Sequence, residues 1–258
     1  VENTAVKFRF KALGLHLCGS VCALSLILGA LYLGWYSWPG WTLTDVTHVV
    51  VVMVGVDVVV GPLLTFVIAH PGKPRRELVR DVSIIVAVQL CALIYGTVSL
   101  WNGRPLYYAY SETVLQLVQA YDIDAQESAA GRRLNPDFAP HWYSLPRWIW
   151  APLPQDTSAS RKIVTSAIQG GDDVISMPQY FKPWEQGLPV LRTKLKKVDD
   201  VAYFFGPEKK QLKERMRAAG LATDQANSMP LTGRGHPLLA VFDPATVKIK
   251  AIIRISRP

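Results

Sequence analysis

The stretch Gly55-Val56-Asp57-Val58-Val59-Val60-Gly61-Pro62-Leu63-Leu64-Thr65, GVDVVVGPLLT, places one carboxylate, two glycines and a proline inside a run of valines. It sits in the middle of residues 46–68, which are almost wholly apolar, and residues 12–35 and 82–101 form two further runs of the same kind. Each is long enough to cross a hydrocarbon core at about 1.5 Å per helical residue. An acid at the centre of such a helix costs about 2.5–3.5 kcal/mol on insertion scales. The Val, Leu, Ile, Phe and Met residues around Asp57, favourable by about 0.3–0.6 kcal/mol each, outweigh that cost. The pattern predicts three membrane-spanning helices.

A cleaved signal peptide competes for the first run, because Lys7, Arg9 and Lys11 precede it as a basic n-region would. The run is too long for that, and it ends in Trp35, Tyr36, Trp38 and Trp41, which suit an interfacial aromatic belt. An uncleaved anchor is expected. Lys7, Arg9 and Lys11 before the first helix, and Lys73, Arg75, Arg76 and Arg80 between the second and third, mark the cytoplasmic side by the positive-inside rule. The expected layout is a cytoplasmic tail over 1–11, a transmembrane domain over 12–101 and an extracytoplasmic domain over 102–258.

Cys18, Cys22 and Cys91 all lie in the apolar runs, so the exported part has no cysteine for disulfides. That part carries 21 Lys and Arg against 15 Asp and Glu, a basic balance suited to a surface beside anionic lipid or to an acidic partner. Nucleic acid is not expected on that side of a membrane.

In the first helix Gly14, Cys18, Cys22, Ser25 and Gly29 recur on one face, as do Gln89, Ala92, Gly96 and Ser99 in the third and Asp57, Gly61 and Thr65 in the second. Small faces let helices approach closely, either within the bundle or with another protein's helix. Three readings of Asp57 stay open. It is neutral and hydrogen-bonded to Gln89 or Tyr95; it meets a partner protein; or it relays a proton or ion. Pro62 leaves the Val58 carbonyl without its helical donor and, with Gly61, loosens the helix there. His16 and His48 are taken as interfacial polar residues without metal-ligand companions.

Past Trp101 the pattern turns to proline, tyrosine and alternation. Strands are expected at 104–110, 113–120, near 147–152, and at 229–233, 238–242 and 247–255, the last two joined by a turn at Asp243-Pro244-Ala245-Thr246. Helices are expected from an Asp124/Glu127 capping box through Arg133, from a Ser160 cap to Gly170-Gly171, and over 189–198 and 207–219. This is an α+β domain. It contains no phosphate loop, nucleophile elbow or zinc-binding His-Glu motif, and its acid pairs, Asp122 with Asp124, Asp172 with Asp173 and Asp199 with Asp200, border turns and helix ends. No catalysis, cofactor or metal is expected.

Arg9-Phe10-Lys11-Ala12, GVDVVVGPLLT, His70-Pro71-Gly72-Lys73, Gln89 through Tyr95-Gly96 and Arg104-Pro105-Leu106-Tyr107 occur in this order. With them the segment from Phe8 to about Asp124 resembles the type IV pilin accessory protein family (TfpX/TfpZ-like). The resemblance implies a small bacterial inner-membrane protein that supports pilin stability or pilus assembly, with its exported domain in the periplasm. A chaperone-like role follows as an expectation, in which Asp57, Gly61, Pro62, Thr65, Gln89 and Tyr95 meet the apolar helix of a type IV pilin and the outer domain touches its head. Other pilus assembly membrane proteins and membrane lipid are further expected contacts. The alternatives are a membrane-anchored envelope sensor or ligand-binding module, and a small envelope enzyme for which no acid, base or nucleophile constellation is present.

Overall fold

A computed structural model describes residues 2–112, 114–201 and 209–255. The chain divides into two compact units. One holds the long helices, through Gly34 and again over Val46–Asn102; the other joins Trp35–Asp45 to the chain from Gly103 onward.

Among the described residues three helical segments, Asn3–Tyr36, Thr47–Ile68 and Arg75–Asn102, are long and apolar enough to cross a membrane. The first is α1 (Glu2–Leu31), which ends in the wider π turn Tyr32–Tyr36. The short helix α2 (Gly40–Leu43) follows. The second span is α3 (Thr47–Val54), a π turn over Gly55–Val60 and α4 (Gly61–Ile68). The third is α5 (Arg75–Asn102). Close packing of the second span on the third rests on glycine: a Cβ on Gly96 would lie 2.5 Å from Met53. With helices followed by mixed helix and sheet, this is a membrane protein with an α+β C-terminal domain.

In the second unit β1 (Pro105–Ser111) and β2 (Val114–Gln119) form an antiparallel pair at the centre of a sheet. The other strands are β3 (Arg147–Trp150), β4 (Lys182–Pro183), β5 (Ser228–Thr232), β6 (Leu238–Phe242) and β7 (Ile249–Arg254). Their order across the sheet is β4-β3-β1-β2-β5-β6-β7, with β3 parallel to β1 and β5 parallel to β2. Every residue of β1 is buried, because period-2 alternation sends its side chains to two covered faces. Tyr108 and Tyr110 join one core with Leu115, Leu231 and Phe242, under Leu191 and Leu195. Tyr107 and Ala109 join the other with Ile149, Phe181 and Ile163.

The helices over the sheet are α6 (Ala125–Leu134), α7 (Thr157–Ile168), α8 (Trp184–Lys194), α9 (Val198–Val201) and α10 (Lys209–Ala218). Asp124 caps α6 by accepting from the Glu127 amide at 2.7 Å, while the Glu127 carboxylate accepts from Gln179 across the fold. Helix α7 starts before the expected Ser160 because Asp156 is its cap, accepting from the Ala159 amide at 2.6 Å. Helix α8 starts at Trp184, so Pro189, read as a first-turn residue, lies inside the helix. The expected start of the last helix at Pro207 lies outside the described residues. At the β6–β7 turn Asp243 Oδ1 accepts from the amides of Thr246 at 2.8 Å and Ala245 at 3.0 Å, and these bonds, the Thr246 amide foremost, hold its carboxyl below the usual range.

The connector Trp35–Asp45 is folded into this unit rather than looped out from it. Gly235 donates to the Leu43 carbonyl at 2.8 Å and His236 to that of Thr42 at 2.9 Å, and Leu43 is fully buried in the core with Tyr108 and Leu231. The sequence Gly233-Arg234-Gly235 permits this approach. A Cβ on Gly233 would fall 2.2 Å from the Leu43 carbonyl oxygen, and one on Gly235 2.6 Å from that of Thr42.

Candidate functional site

The π turn over Gly55–Val60 decides where Asp57 goes. Within it the Gly61 amide donates to the Val56 carbonyl, five residues back, instead of to that of Asp57. Pro62 has no amide to offer Val58. A π turn therefore frees carbonyls that a straight α-helix would occupy. The Asp57 carbonyl is taken by the side chain of Gln89 on α5, whose Nε2 donates to it at 3.1 Å and to the Val56 carbonyl at 3.4 Å. Gln89 fits there because Gly61 has no side chain, since a Cβ would lie 2.0 Å from Nε2.

The other end of Gln89 meets α1. His16 Nε2 lies 2.7 Å from Gln89 Oε1, and His16 Nδ1 lies 2.6 Å from Thr65 Oγ1. Because Gln89 Nε2 is committed to carbonyls, Oε1 is an acceptor, which assigns the imidazole proton to Nε2. The Thr65 hydroxyl then donates to Nδ1, and a neutral histidine is satisfied at both nitrogens. One polar network thus ties all three spans together. Asp57, Thr65 and Gln89 are 4%, 3% and 7% exposed. Asp57 Oδ2 is buried with no hydrogen-bond partner.

These polar groups lie along a groove of about 480 Å³, a volume in the range of ligand sites. One wall is Ala12, Leu15, His16, Gly19, Ser20 and Ala23 of α1; the other is Val82, Val86, Gln89, Leu90 and Leu93 of α5; Asp57 and Thr65 come from the second span. Each wall repeats at the spacing of one helix face, over about three turns or about 16 Å. Gly19 meets nothing within 4 Å of where its Cβ would stand.

Of the six residues singled out from the sequence, Asp57, Gly61, Pro62, Thr65 and Gln89 are buried together in this region. Tyr95 is not with them: it is 78% exposed, and its hydroxyl is not the partner of Asp57. His16, read as an interfacial residue, is instead the hub of the network. The small faces also differ in role. Gly96 packs inward on Met53, whereas Cys18 and Cys22 are exposed and Gly14 and Gly29 have no neighbour within 4 Å of a Cβ.

In the second unit the acidic residues serve local structure. Asp122 pairs with Arg234 at 2.9 Å, Asp199 with Lys213 at 2.6 Å, and Asp173 accepts from the Val174 amide. Among the described residues no three His, Cys, Asp or Glu side chains gather in a way that would hold a metal.

Three curated proteins of Dichelobacter nodosus are similar to this chain. The fimbrial assembly protein of serogroup I is 25% identical over 241 residues, 92% of this chain and 91% of the relative. That of serogroup E1 is 24% identical over the same shares. That of serogroups C1 and C2 is 30% identical over 116 residues, which are 45% of this chain and 88% of the relative. The chain belongs to the fimbrial assembly protein family. Membership agrees with the resemblance carried by GVDVVVGPLLT and its companion phrases. No family model matches the chain, and no solved structure matches it.

Proposed function

We propose that this protein supports pilus biogenesis by holding the apolar helix of a type IV pilin subunit in the groove between α1 and α5, while the second unit faces the subunit's head. The groove is the observation that carries this reading: two helix faces about three turns long, a wall rich in small residues, and polar groups at its base. A helix laid into it would bury its apolar face as in other helix-in-groove complexes, and small residues allow the close approach that membrane helices need. The fimbrial assembly relatives supply the partner class. In this reading the protein binds its partner and does not convert it.

The reading places the N-terminus in the cytoplasm and the second unit in the periplasm, with the helices in the bacterial inner membrane. The lysine and arginine excess before α1 and between α4 and α5 supports that orientation. So does the folding of Trp35–Asp45 with the chain after Gly103, since both segments leave a three-span bundle on one side.

The test is purification of the tagged protein from native membranes in mild detergent, with mass spectrometry of what accompanies it. A Gly19→Trp variant, which fills the groove from a position with open space around it, is purified alongside. A pilin subunit enriched with the wild type and reduced at least tenfold with the variant is expected. Absence of pilin from the wild-type preparation, or equal recovery with both, overturns the reading.

A further inference from the structure

The polar network at the groove is closed on itself except at one atom. His16 is saturated by Thr65 and Gln89, and Gln89 is saturated by His16 and the two carbonyls of the π turn. Asp57 Oδ2 is buried and has no donor. No lysine or arginine lines the groove, and the one basic side chain there, His16, is satisfied as a neutral ring. A carboxylate in apolar surroundings is costly without a counter-charge or donors. The missing element is a cationic donor arriving from the groove.

Resting on the groove reading above, we propose that the groove recognises a primary ammonium carried on an apolar membrane segment, with the ammonium on the Asp57 carboxylate. The lining selects this chemistry. Leu15, Val82, Val86, Leu90 and Leu93 offer nothing to an anion or to a long polar chain, while an ammonium brings three donors and the compensating charge. A chain's own amino terminus and a lysine side chain both present this group.

Purified protein in nanodiscs is titrated with three labelled synthetic peptides that share one apolar helical sequence. The first has a free amino terminus and no lysine, the second an acetylated terminus and no lysine, and the third an acetylated terminus with one lysine. Binding of the first or third at least tenfold tighter than the second supports the proposal, and which of the two prevails identifies the source of the ammonium. The preference should shrink to less than threefold with Asp57→Asn. The comparison on the wild type needs no variant to fold. If all three peptides bind within threefold of one another, ammonium recognition is overturned while helix docking stands. If none binds, both fall.

Discussion

Gly61 and Gln89 occupy the same space in turn: a Cβ on the glycine would stand 2.0 Å from the amide nitrogen of the glutamine. The glutamine cannot step aside freely, because that amide holds the carbonyls of the π turn and its oxygen faces His16. Gly61→Ala should therefore destabilise the bundle by about 1–3 kcal/mol, the usual range for overpacking. Thermal unfolding in detergent micelles measures it. Gly55→Ala, at a site with nothing within 4 Å, is the control and should change little.

His16 and Gln89 should prove energetically inseparable. Removing the imidazole strands Thr65 Oγ1 and Gln89 Oε1 in a buried site, which costs about 1–3 kcal/mol. In a double-mutant cycle with His16→Ala and Gln89→Leu, the two losses should fall short of additivity by about 0.5–3 kcal/mol. Additive losses would mean that the 2.7 Å contact carries no stabilisation.

Asp57, Thr65 and Gln89 were legible in the sequence because intramembrane polar residues are rare enough to stand out, and steps of four and seven put them on definable faces. Tyr95 misled for a geometric reason. It lies six residues from Gln89, about 240° around the helix at about 100° per residue, and so points away from the bundle. His16 was missed because it is 49 residues from Thr65 and 73 from Gln89 in sequence. Periodicity fixes which residues share a face of one helix but not which face meets which neighbour. The π turn was visible only as a loosening at Gly61-Pro62, since no propensity distinguishes a kink from a widened turn. In the second unit, strands with strong alternation read well, while helix starts depended on choosing among several capable caps, as Asp156 over Ser160 shows.

The connector should be as sensitive as any core residue. Gly233→Ala puts a methyl 2.2 Å from the Leu43 carbonyl oxygen, a backbone atom that moves only with the whole segment. A loss of about 1–3 kcal/mol is expected. Hydrogen exchange at the Gly235 and His236 amides, which donate to Leu43 and Thr42, should rise with it. Unchanged protection of those two amides would show that the connector is held by other contacts.

Burial pushes the hydroxyls of Tyr108 and Tyr110 up to about 12, with the nearby Glu112 charge adding to the shift at Tyr110. In an unfolded chain a tyrosine ionises near pH 10. Their contribution to stability is thus fully present below about pH 10 and is lost as the pH rises through about 12. Alkaline unfolding, followed by phenolate absorbance together with circular dichroism, should begin in that window. Tyr108→Phe should remove one late-titrating group from it. Ionisation of all tyrosines near pH 10 with the fold intact would contradict this.

The widened turn at Gly55–Val60 behaves as though one residue had been spliced into an ordinary helix, and this makes the second span unusually intolerant of changes in length. Deleting a single valine there would let the ladder revert to regular α spacing and spin everything after it by about 100°. Thr65 would swing away from His16, Gln89 would face closed carbonyls, and the hydrophobicity of the span would hardly alter. Insertions and deletions at this point would leave a segment that still enters a membrane but no longer aims its one acid at anything.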